Sequence, residues 1–377
     1  MTEIYLIRHA QAEGNLYRMM QGFWDGEVTP LGRRQIEALA GRLSDVPIRA
    51  VYSSDLSRTI LTAGAAADSR GLPIHKDPRL REIDMGPWEA CFFGNICHEQ
   101  PEAAALFLNR PQFWQVEGSE DYAQVSRRAY PALLEIAQRH EGEVVAVISH
   151  GVTIRCLLST ALNIPLERLE ELPICKNTAI SHLIYENGSF RAESINDYRH
   201  LDAVGGTVWS KNQALRHEYI DPDRERDYYC ACYADAWRAA HGSLTGFCAD
   251  VYWESAREHY RDDPESLMKI YCGDEPVGLV ELDTRRSAHM GCGWLSLIYL
   301  KEEYRNLGYG IQLLGRAIMK YRRLGRSCLR LHAAEENAMA LSFYRKHGFR
   351  IVSEESNGLG RLLLLEKKLG GNCRGTD

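Results

Sequence analysis

Apolar and polar stretches alternate along the first half of the chain in a way that predicts strands separated by helices. Apolar, largely β-branched runs at 3–7, 49–54 and 143–149 predict buried parallel strands, because strands covered on both faces are apolar along their length. After Thr29 and Pro30, apolar residues recur at helical spacing and predict an amphipathic helix. This order is typical of a sheet covered by helices.

The alternation ends in a hairpin signal followed by a break. Asn187 and Gly188 lie between two strand-like runs and predict a β-hairpin at 180–195. Paired glycines then interrupt the pattern, so we place a linker at 202–207. With 377 residues, the chain is longer than one core usually holds, so two domains are expected.

The second half predicts a mixed α+β domain over 208–369, which contrasts with the α/β pattern of the first domain, 1–201. Helical, aromatic-rich segments at 223–260 come first. The later elements are strands at 267–272, 276–283, 292–300 and 327–333, helices at 309–323 and 337–347, and a strand pair at 349–367. The tail, 370–377, has nothing to pack against and is expected to be disordered.

Composition and charge exclude some classes of partner. The net charge of −6 gives no reason to expect nucleic acid or a membrane surface as a partner. No apolar run approaches the roughly 20 residues that span a bilayer. A strand that begins at residue 3 leaves no room for a signal peptide, so we expect a cytoplasmic protein. The sequence does not indicate an oligomeric state.

The cysteines predict neither a disulfide framework nor a metal site. Cys230 and Cys232 form the only close pair, and no second pair completes a zinc site. Scattered cysteines in a reducing cytosol are mostly small buried apolar residues. We therefore expect no bound metal.

Arginine and histidine side chains follow the three predicted parallel strands. Arg8 and His9 follow the first strand, Arg58 lies in the helix after the second, and His150 follows the third. Because parallel strands end at one edge of a sheet, these side chains are expected to share a pocket. Four potentially cationic groups favour a multiply charged anion, most simply a phosphate dianion.

The same residues have a chemical logic for phosphoryl transfer. An imidazole attacks phosphorus only when it is neutral, and nearby arginines disfavour protonation of His9. The leaving alkoxide needs a proton from an acid. Glu82, Asp84 and Glu89 lie close together in the sequence and could each supply it, and the residues alone do not choose among them.

Four motifs in order resemble the histidine phosphatase superfamily, which has the phosphoglycerate-mutase-like fold. They are "LIRHAQAEGN", "SSDLSRT", "LREIDMGPWE" and "SHG", and they span about residues 1–200. The resemblance implies a three-layer αβα sandwich, with His9 as the nucleophile that becomes phosphohistidine and Glu82 as the proton donor. It also implies a phosphate pocket, and the residues expected there are Arg8, Asn15, Arg58 and His150, together with Gln21 on the loop after His9.

Two questions about this domain stay open. Aromatic residues in the segment that commonly covers such sites form either an apolar lid or part of the core, namely Phe92, Phe93, Phe113 and Trp114. The stretch between the acid and the second histidine is compact, acidic and aromatic rather than basic. That composition favours a phosphatase acting on a small phosphomonoester over a phosphoglycerate-type mutase.

Glycines at the start of a predicted helix indicate an anion site in the second half. Gly308 and Gly310 would let backbone N–H groups approach an anion, and the helix dipole favours negative charge there. No Gly-Lys-Ser/Thr follows, so this is not a P-loop. A pyrophosphate fits such a site, and a simple tight turn is the alternative.

This stretch and "ENAMALSFYRKHGF" (336–349) resemble the GCN5-related N-acetyltransferases over about 208–368. The resemblance implies acetyl-CoA as cofactor, with Asn337 as a further contact and Tyr344 as the acid that protonates the departing thiolate. The loop expected to hold the pyrophosphate comprises Arg305, Asn306, Leu307, Gly308, Tyr309, Gly310 and Ile311.

The general base of this second site is not assigned. Many relatives place a glutamate on the strand at 292–300, where this chain has none. Glu281 and Asp283 on the preceding strand are weak substitutes, and a base acting through water is equally compatible. We expect a bifunctional enzyme that uses a phosphomonoester, acetyl-CoA and an amine acceptor. The alternative is that one half is a non-catalytic ligand sensor that regulates the other.

Overall fold

A computed structural model describes residues 1–204, 213–357 and 360–370. The chain forms two compact units, and the described residues up to 204 belong to the first and those from 213 to the second. The predicted linker, 202–207, and tail, 370–377, extend outside the described residues. Within the described parts of the chain, no helix combines the length and apolar character needed to cross a membrane.

The first unit contains a six-stranded sheet. Its strands are β1 (Thr2–Arg8), β2 (Ile48–Ser53), β3 (Ile74–Lys76), β4 (Val144–Ser149), β5 (Ile180–Glu186) and β6 (Ser189–Asp197). Their order is β3-β2-β4-β1-β5-β6. The first four are parallel, whereas β5 runs antiparallel to β1 and β6 antiparallel to β5. The predicted parallel strands therefore lie side by side.

Helices cover both faces of this sheet. The helices of this unit are α1 (Glu13–Tyr17), α2 (Pro30–Leu43), α3 (Ser57–Ala67), α4 (Phe93–Glu99), α5 (Pro101–Asn109), α6 (Tyr122–Arg139) and α7 (Gly151–Ala161), and α2, α3, α6 and α7 pack against the sheet. Leu39 on α2 and Ala63 on α3 join the core beneath one face. Leu6 and Ile7 of β1 are both 0% exposed, and since successive strand residues face opposite sides, neither face of β1 is open to solvent. The α/β prediction is confirmed.

Among its described residues, the second unit contains a seven-stranded sheet and four α-helices. The strands are β7 (Arg216–Tyr219), β8 (Leu267–Cys272), β9 (Glu275–Asp283), β10 (Cys292–Leu300), β11 (Cys328–Ala334), β12 (Arg350–Asn357) and β13 (Gly360–Lys368). The helices are α8 (Arg226–His241), α9 (Ala249–Asp262), α10 (Gly310–Arg323) and α11 (Ala338–Lys346). The strand order is β12-β13-β11-β10-β9-β8-β7. Among these pairs, β10 and β11 are parallel.

The pairing between β10 and β11 is short and carries a disulfide. It covers three residue pairs, from Cys292 opposite Cys328 to Trp294 opposite Arg330. Cys292 and Cys328 are bonded, with Cα atoms 4.6 Å apart. The expectation that the cysteines are apolar core residues is therefore wrong for this pair. The sequence could not reveal it, because the two residues meet only through the register of two distant strands.

Candidate active sites

Three neighbouring strand ends build the first site. Because β2, β4 and β1 are adjacent and parallel, the residues directly after them lie in a row at one edge of the sheet. These residues are Ser54, His150 and His9. The ring centroids of His9 and His150 are 5.2 Å apart. Arg58, in the first turn of α3, is 0% exposed and enters the same region.

The imidazole of His9 is held in its neutral form. Its Nδ1 lies 2.7 Å from the carbonyl oxygen of Ala10, which can only accept, so Nδ1 carries the proton and Nε2 has the free lone pair. Burial lowers the pKa of His9 well below its ordinary value, and the charges of Arg58 and Arg8 lower it further. The imidazole is therefore unprotonated near neutral pH.

The two arginines are fixed by backbone carbonyls. Arg58 donates to the carbonyl oxygens of Trp24 at 3.0 Å and Gly22 at 2.6 Å, and forms an ion pair with Asp25 at 3.1 Å. Arg8 donates from Nη1 to the carbonyl oxygen of Cys175 at 2.5 Å. These contacts leave the Nε atoms of both guanidinium groups for other partners.

His150 is oriented by Ser54. Its Nε2 lies 3.0 Å from the Ser54 hydroxyl, which also accepts from the Leu56 N–H at 3.3 Å. Burial lowers the pKa of His150 well below its ordinary value, with Arg58 as the next cause. If Ser54 donates to Nε2, the proton of the neutral ring resides on Nδ1, where it can donate to a ligand.

Four predicted phosphate ligands each carry a buried nitrogen without a hydrogen-bond partner among the described residues. These atoms are Arg8 Nε, Gln21 Nε2, Arg58 Nε and His150 Nδ1. Gln21 uses its oxygen to accept from the Gly14 N–H at 2.8 Å, so the nitrogen is the end that remains. A buried donor without a partner costs about 1–3 kcal/mol. An anion that accepts from this group would remove that cost.

Asn15 presents its amide nitrogen in a similar way. Its Oδ1 accepts from the Ala12 N–H at 3.1 Å and from Asn177 Nδ2 at 3.2 Å. The carboxamide oxygen is thus occupied, and the NH₂ group is the end available to a ligand. Sequence reasoning missed Asn177, which is 1% exposed and lies in the turn before β5.

The structure separates the three candidate acids by location. Glu82 accepts from the N–H groups of Val152 and Thr153 at 3.2 and 3.1 Å, at the start of the helix that follows His150. Its charge acts on both Arg8 and Arg58. Glu82 therefore lies beside the row of strand ends.

Glu89 and Asp84 have local structural roles. Glu89 accepts from the N–H groups of Phe23 and Trp24 at 2.7 and 2.9 Å, in the loop whose carbonyls bind Arg58. Burial raises the pKa of Glu89, while these hydrogen bonds lower it. Asp84 accepts from the Gly86 N–H at 2.9 Å and shapes its own turn.

The aromatic residues between the acid and the second histidine are divided between core and surface. Phe93 and Trp114 are 5% and 0% exposed, and Trp114 packs on Trp88 and Phe107 with centroids 5.2 and 5.3 Å apart. Phe92 is half-buried, whereas Phe113 is 50% exposed. Phe93 and Trp114 thus belong to the core rather than to an apolar lid.

The second unit opens between β10 and β11. After Trp294 and Arg330 the two strands no longer pair with each other; β10 continues along β9, and β11 continues along β13. A register shift between Leu295 and Leu297 marks a bulge in β10 at this point. The inner edges of both strands beyond it carry backbone groups that a ligand can bind.

The predicted pyrophosphate loop runs from this opening into α10. Asn306 and Gly308 have positive φ values of 60° and 81°, and the helix begins at Gly310. Arg305 does not point its charge to a free site, since it donates to the Leu300 carbonyl at 2.8 Å and to Asp235 at 3.0 Å. The remaining loop side chains divide into buried Tyr309 and Ile311 and exposed Leu307.

Residues on α11 take packing and capping roles beside this loop. Asn337 caps the helix, with its Oδ1 accepting from the Ala340 N–H at 3.0 Å. A side chain at Gly310 would meet the Phe343 ring at 3.2 Å. Tyr344 is 6% exposed and packs on Phe343 and Phe349, and burial raises its pKa.

The two acids considered as bases are linked through a histidine. His259 on α9 binds Glu281 through Nδ1 at 2.7 Å and Asp283 through Nε2 at 3.3 Å. Burial lowers the pKa of His259, but these hydrogen bonds outweigh burial and raise it to about 9. Tyr229 lies 2.9 Å from Glu281 through its hydroxyl. Both carboxylates are thus occupied by a protonated imidazole near neutral pH.

The first unit therefore places a neutral imidazole beside buried nitrogens that have no partner among the described residues, and comparison with known proteins gives its family. The model of the histidine phosphatase superfamily (branch 1) matches residues 4–198, and the model of the acetyltransferase (GNAT) family matches residues 222–349. The chain belongs to the histidine phosphatase superfamily and carries a GNAT domain in its second half. Both predicted family resemblances are confirmed.

Individual relatives match the first half. The probable phosphoglycerate mutase GpmB of Enterobacter sp. (strain 638) is 32% identical over 208 residues, which are 54% of this chain and 96% of the relative. The protein of the same name from Yersinia pestis (strain Pestoides F) is 32% identical over 207 residues, again 54% and 96%. The structure of Bacillus stearothermophilus YhfR is similar to this one, with a TM-score of 0.52 and 33% sequence identity. The match covers 54% of this chain and 100% of YhfR.

Proposed function

We propose that the N-terminal domain hydrolyses small phosphomonoesters through a phosphohistidine formed on His9. The observation that carries this proposal is a group of buried nitrogens around a neutral imidazole, on Arg8, Arg58, Gln21 and His150, which have no partner among the residues that the structure describes. A phosphate dianion has the oxygens to satisfy these donors, and two guanidinium groups stabilise the charge of the transition state.

The residues support a two-step reaction. The lone pair of His9 Nε2 forms a bond to phosphorus while the ester P–O bond breaks, and the leaving oxygen takes a proton from Glu82. In the second step Glu82 removes a proton from water, the water oxygen bonds to phosphorus, and the N–P bond breaks to release phosphate. Glu82 ends protonated and His9 neutral, ready for another turnover.

Substitution of His9 tests the covalent step. His9→Ala should abolish turnover of p-nitrophenyl phosphate by several orders of magnitude, because no other group replaces the attacking atom. Acid-labile labelling from a radioactive phosphodonor should disappear with it. His182→Ala is the control, since His182 lies on the neighbouring β5 and binds Glu3 at 3.1 Å instead. Turnover near wild-type level in His9→Ala would refute the assignment.

A phosphoglycerate-type mutase is the second candidate for this domain. It is favoured by the 32% identity to proteins named probable phosphoglycerate mutase. The compact segment between Glu82 and His150, with its aromatic core, favours the phosphatase. Incubation with 3-phosphoglycerate distinguishes them, because a mutase yields 2-phosphoglycerate and a phosphatase yields inorganic phosphate.

For the C-terminal domain we propose acetyl transfer to an amine. Acetyl-CoA, the usual acyl donor of GNAT domains, would supply the acetyl group as a thioester. The opening between β10 and β11, continued by a loop with left-handed residues at Asn306 and Gly308, supports this proposal. Backbone N–H groups at the start of α10 would bind the pyrophosphate, and Tyr344 would hold a proton for the leaving sulfur.

Calorimetric titration with acetyl-CoA tests binding, and mass spectrometry of an amine panel tests transfer. Binding without acetylation of any amine would favour the sensor interpretation, whereas the absence of binding would refute both. Measuring p-nitrophenyl phosphate turnover with and without acetyl-CoA shows whether one half regulates the other.

A further inference from the structure

Thr178, two residues before β5, has an unusual backbone conformation. Its φ is 57°, in the left-handed region, and it is the only β-branched residue among the described non-glycine residues with positive φ. Such a conformation costs of order 1–3 kcal/mol and persists only where the surroundings determine it. Thr178 is 0% exposed. Its contacts therefore indicate what this conformation achieves.

The turn containing Thr178 holds the backbone of the two residues at the end of β1. The Thr178 N–H lies 3.0 Å from the carbonyl oxygen of Arg8 and 3.4 Å from that of His9. The Arg8 N–H donates to the carbonyl oxygen of Ala179 at 3.2 Å, and Nη1 of Arg8 donates to the carbonyl oxygen of Cys175 at 2.5 Å. One short segment, 175–179, thus fixes both the backbone and the guanidinium of Arg8.

Asn177 connects the same turn to two residues of the phosphate pocket. Its Nδ2 donates to the carbonyl oxygen of His9 at 2.9 Å and to Oδ1 of Asn15 at 3.2 Å. Because Asn177 Nδ2 and the Ala12 N–H both donate to Oδ1 of Asn15, the NH₂ end of the Asn15 carboxamide is the end that faces a ligand. Asn177 thus contacts both His9, the proposed nucleophile, and Asn15, which would donate a hydrogen bond to phosphate.

The contact of Asn177 with His9 reaches the imidazole through one peptide. In the His9–Ala10 peptide, the carbonyl oxygen of His9 accepts from Asn177, and the N–H of Ala10 donates to Thr62 Oγ1 at 2.9 Å. The carbonyl of Ala10 in turn binds His9 Nδ1 at 2.7 Å. The orientation of the His9–Ala10 peptide therefore affects where the Ala10 carbonyl lies, and through that carbonyl the direction of Nε2.

We propose that Asn177 and Thr178 are positioning residues, which aim His9 Nε2 at phosphorus and the Asn15 amide at the phosphate oxygens. The inference rests on the proposed phosphatase activity. Neither residue exchanges a proton or bonds to phosphorus; they act through His9 and Asn15. Because formation of the N–P bond needs alignment with the breaking P–O bond, a displacement of about 1 Å can cost about 10²-fold in rate.

Two variants of Asn177 test this role. Asn177→Ala removes both side-chain bonds, and Asn177→Asp keeps the size but replaces the donor by an acceptor. In both, kcat for p-nitrophenyl phosphate should fall about 10–100-fold. Inhibition by inorganic phosphate should weaken much less, because Arg8 and Arg58 remain. A merely structural residue would instead lower the melting temperature and leave kcat per folded molecule unchanged.

Ser181→Ala is the matched control. Ser181 is also buried, at 2% exposed, follows in β5, and accepts from the Asn196 N–H at 3.1 Å, away from His9. It should lose similar stability and keep wild-type kcat. A wild-type kcat in a folded Asn177 variant would overturn the positioning role and leave the phosphatase proposal intact. If Asn177→Ala does not fold, the kcat of Asn177→Asp provides the test. Wild-type protein without turnover would overturn the phosphatase proposal and this role with it.

Discussion

Replacement of Glu82 by glutamine tests acid catalysis at small structural cost. Oε1 of Glu82 accepts from the N–H groups of Ile83 and Thr153, both at 3.1 Å, and a carboxamide oxygen can keep these bonds. The Val152 N–H lies 3.2 Å from Oε1 and 3.3 Å from Oε2, so only its contact with Oε2 would be lost. One such bond contributes about 0.5–1.5 kcal/mol, so the variant should fold.

The kinetic effect should be larger and should depend on the leaving group. Loss of a general acid costs about 10²–10⁴-fold. At about 1.36 kcal/mol per tenfold, this is about 2.7–5.4 kcal/mol of transition-state stabilisation, well above the structural cost. An alkoxide needs the proton as the P–O bond breaks, so alkyl phosphates should show the full loss. p-Nitrophenolate leaves without it, so p-nitrophenyl phosphate should lose much less.

The assay compares kcat/KM of wild type and Glu82→Gln on an alkyl phosphate and on p-nitrophenyl phosphate. Glu89→Gln serves as control, because Glu89 holds the loop at Phe23 and Trp24 rather than the row of strand ends. It should affect both substrates equally. Equal losses on both substrates in Glu82→Gln, or a leaving-group dependence in Glu89→Gln, would refute the assignment of the acid.

Two further predictions concern the second domain. Gly308→Ala should weaken acetyl-CoA binding about tenfold or more in calorimetric titration. Gly325→Ala is the control and should leave the affinity unchanged, because φ is 68° at Gly325 and 81° at Gly308, so both variants introduce left-handed strain. Equal affinities of the two variants for acetyl-CoA would refute the pyrophosphate role of the loop. The pKa of His259 is raised to about 9 by Asp283 and Glu281, so its stabilising effect is complete below its ordinary pKa of 6.5 and is lost as the pH rises through about 9. After allowance for solvent screening, this effect contributes about 1–2 kcal/mol to the free energy of unfolding. Calorimetry between pH 6.5 and about 9 should show a fall in the stability of the wild type that His259→Gln lacks. The same pH dependence of stability in both proteins would contradict this prediction.

The strands with the strongest apolar runs were predictable from sequence, and the short ones were not. The runs at 49–54 and 143–149 became β2 and β4 because burial on both faces demands apolar residues throughout. β3, at Ile74–Lys76, has three residues and two exposed side chains, so it carries no such pattern. β7 is similarly brief, with four residues.

The same distinction holds for the first site. His9 and His150 were predictable as neighbours because each directly follows a buried strand, and the topology of parallel strands does the rest. Asn177 gave no comparable signal, since an amide before a strand is common in turns. Its place beside His9 follows from the register of β5 on β1, where Ile180 lies opposite Ile7, and only knowledge of that pairing would have revealed it.

The central place of β1 in its sheet has a consequence for how the domain folds. Glu3 pairs with Val144 on one side and with Ile184 on the other, so both neighbours of the first strand come from far along the chain. Closing such long loops is entropically costly and makes folding slow. The pocket draws on the ends of β1, β2 and β4 and on the turn before β5, so it is assembled only when these distant segments meet. Phosphate-binding competence should therefore appear in one late, cooperative step rather than gradually as the chain emerges.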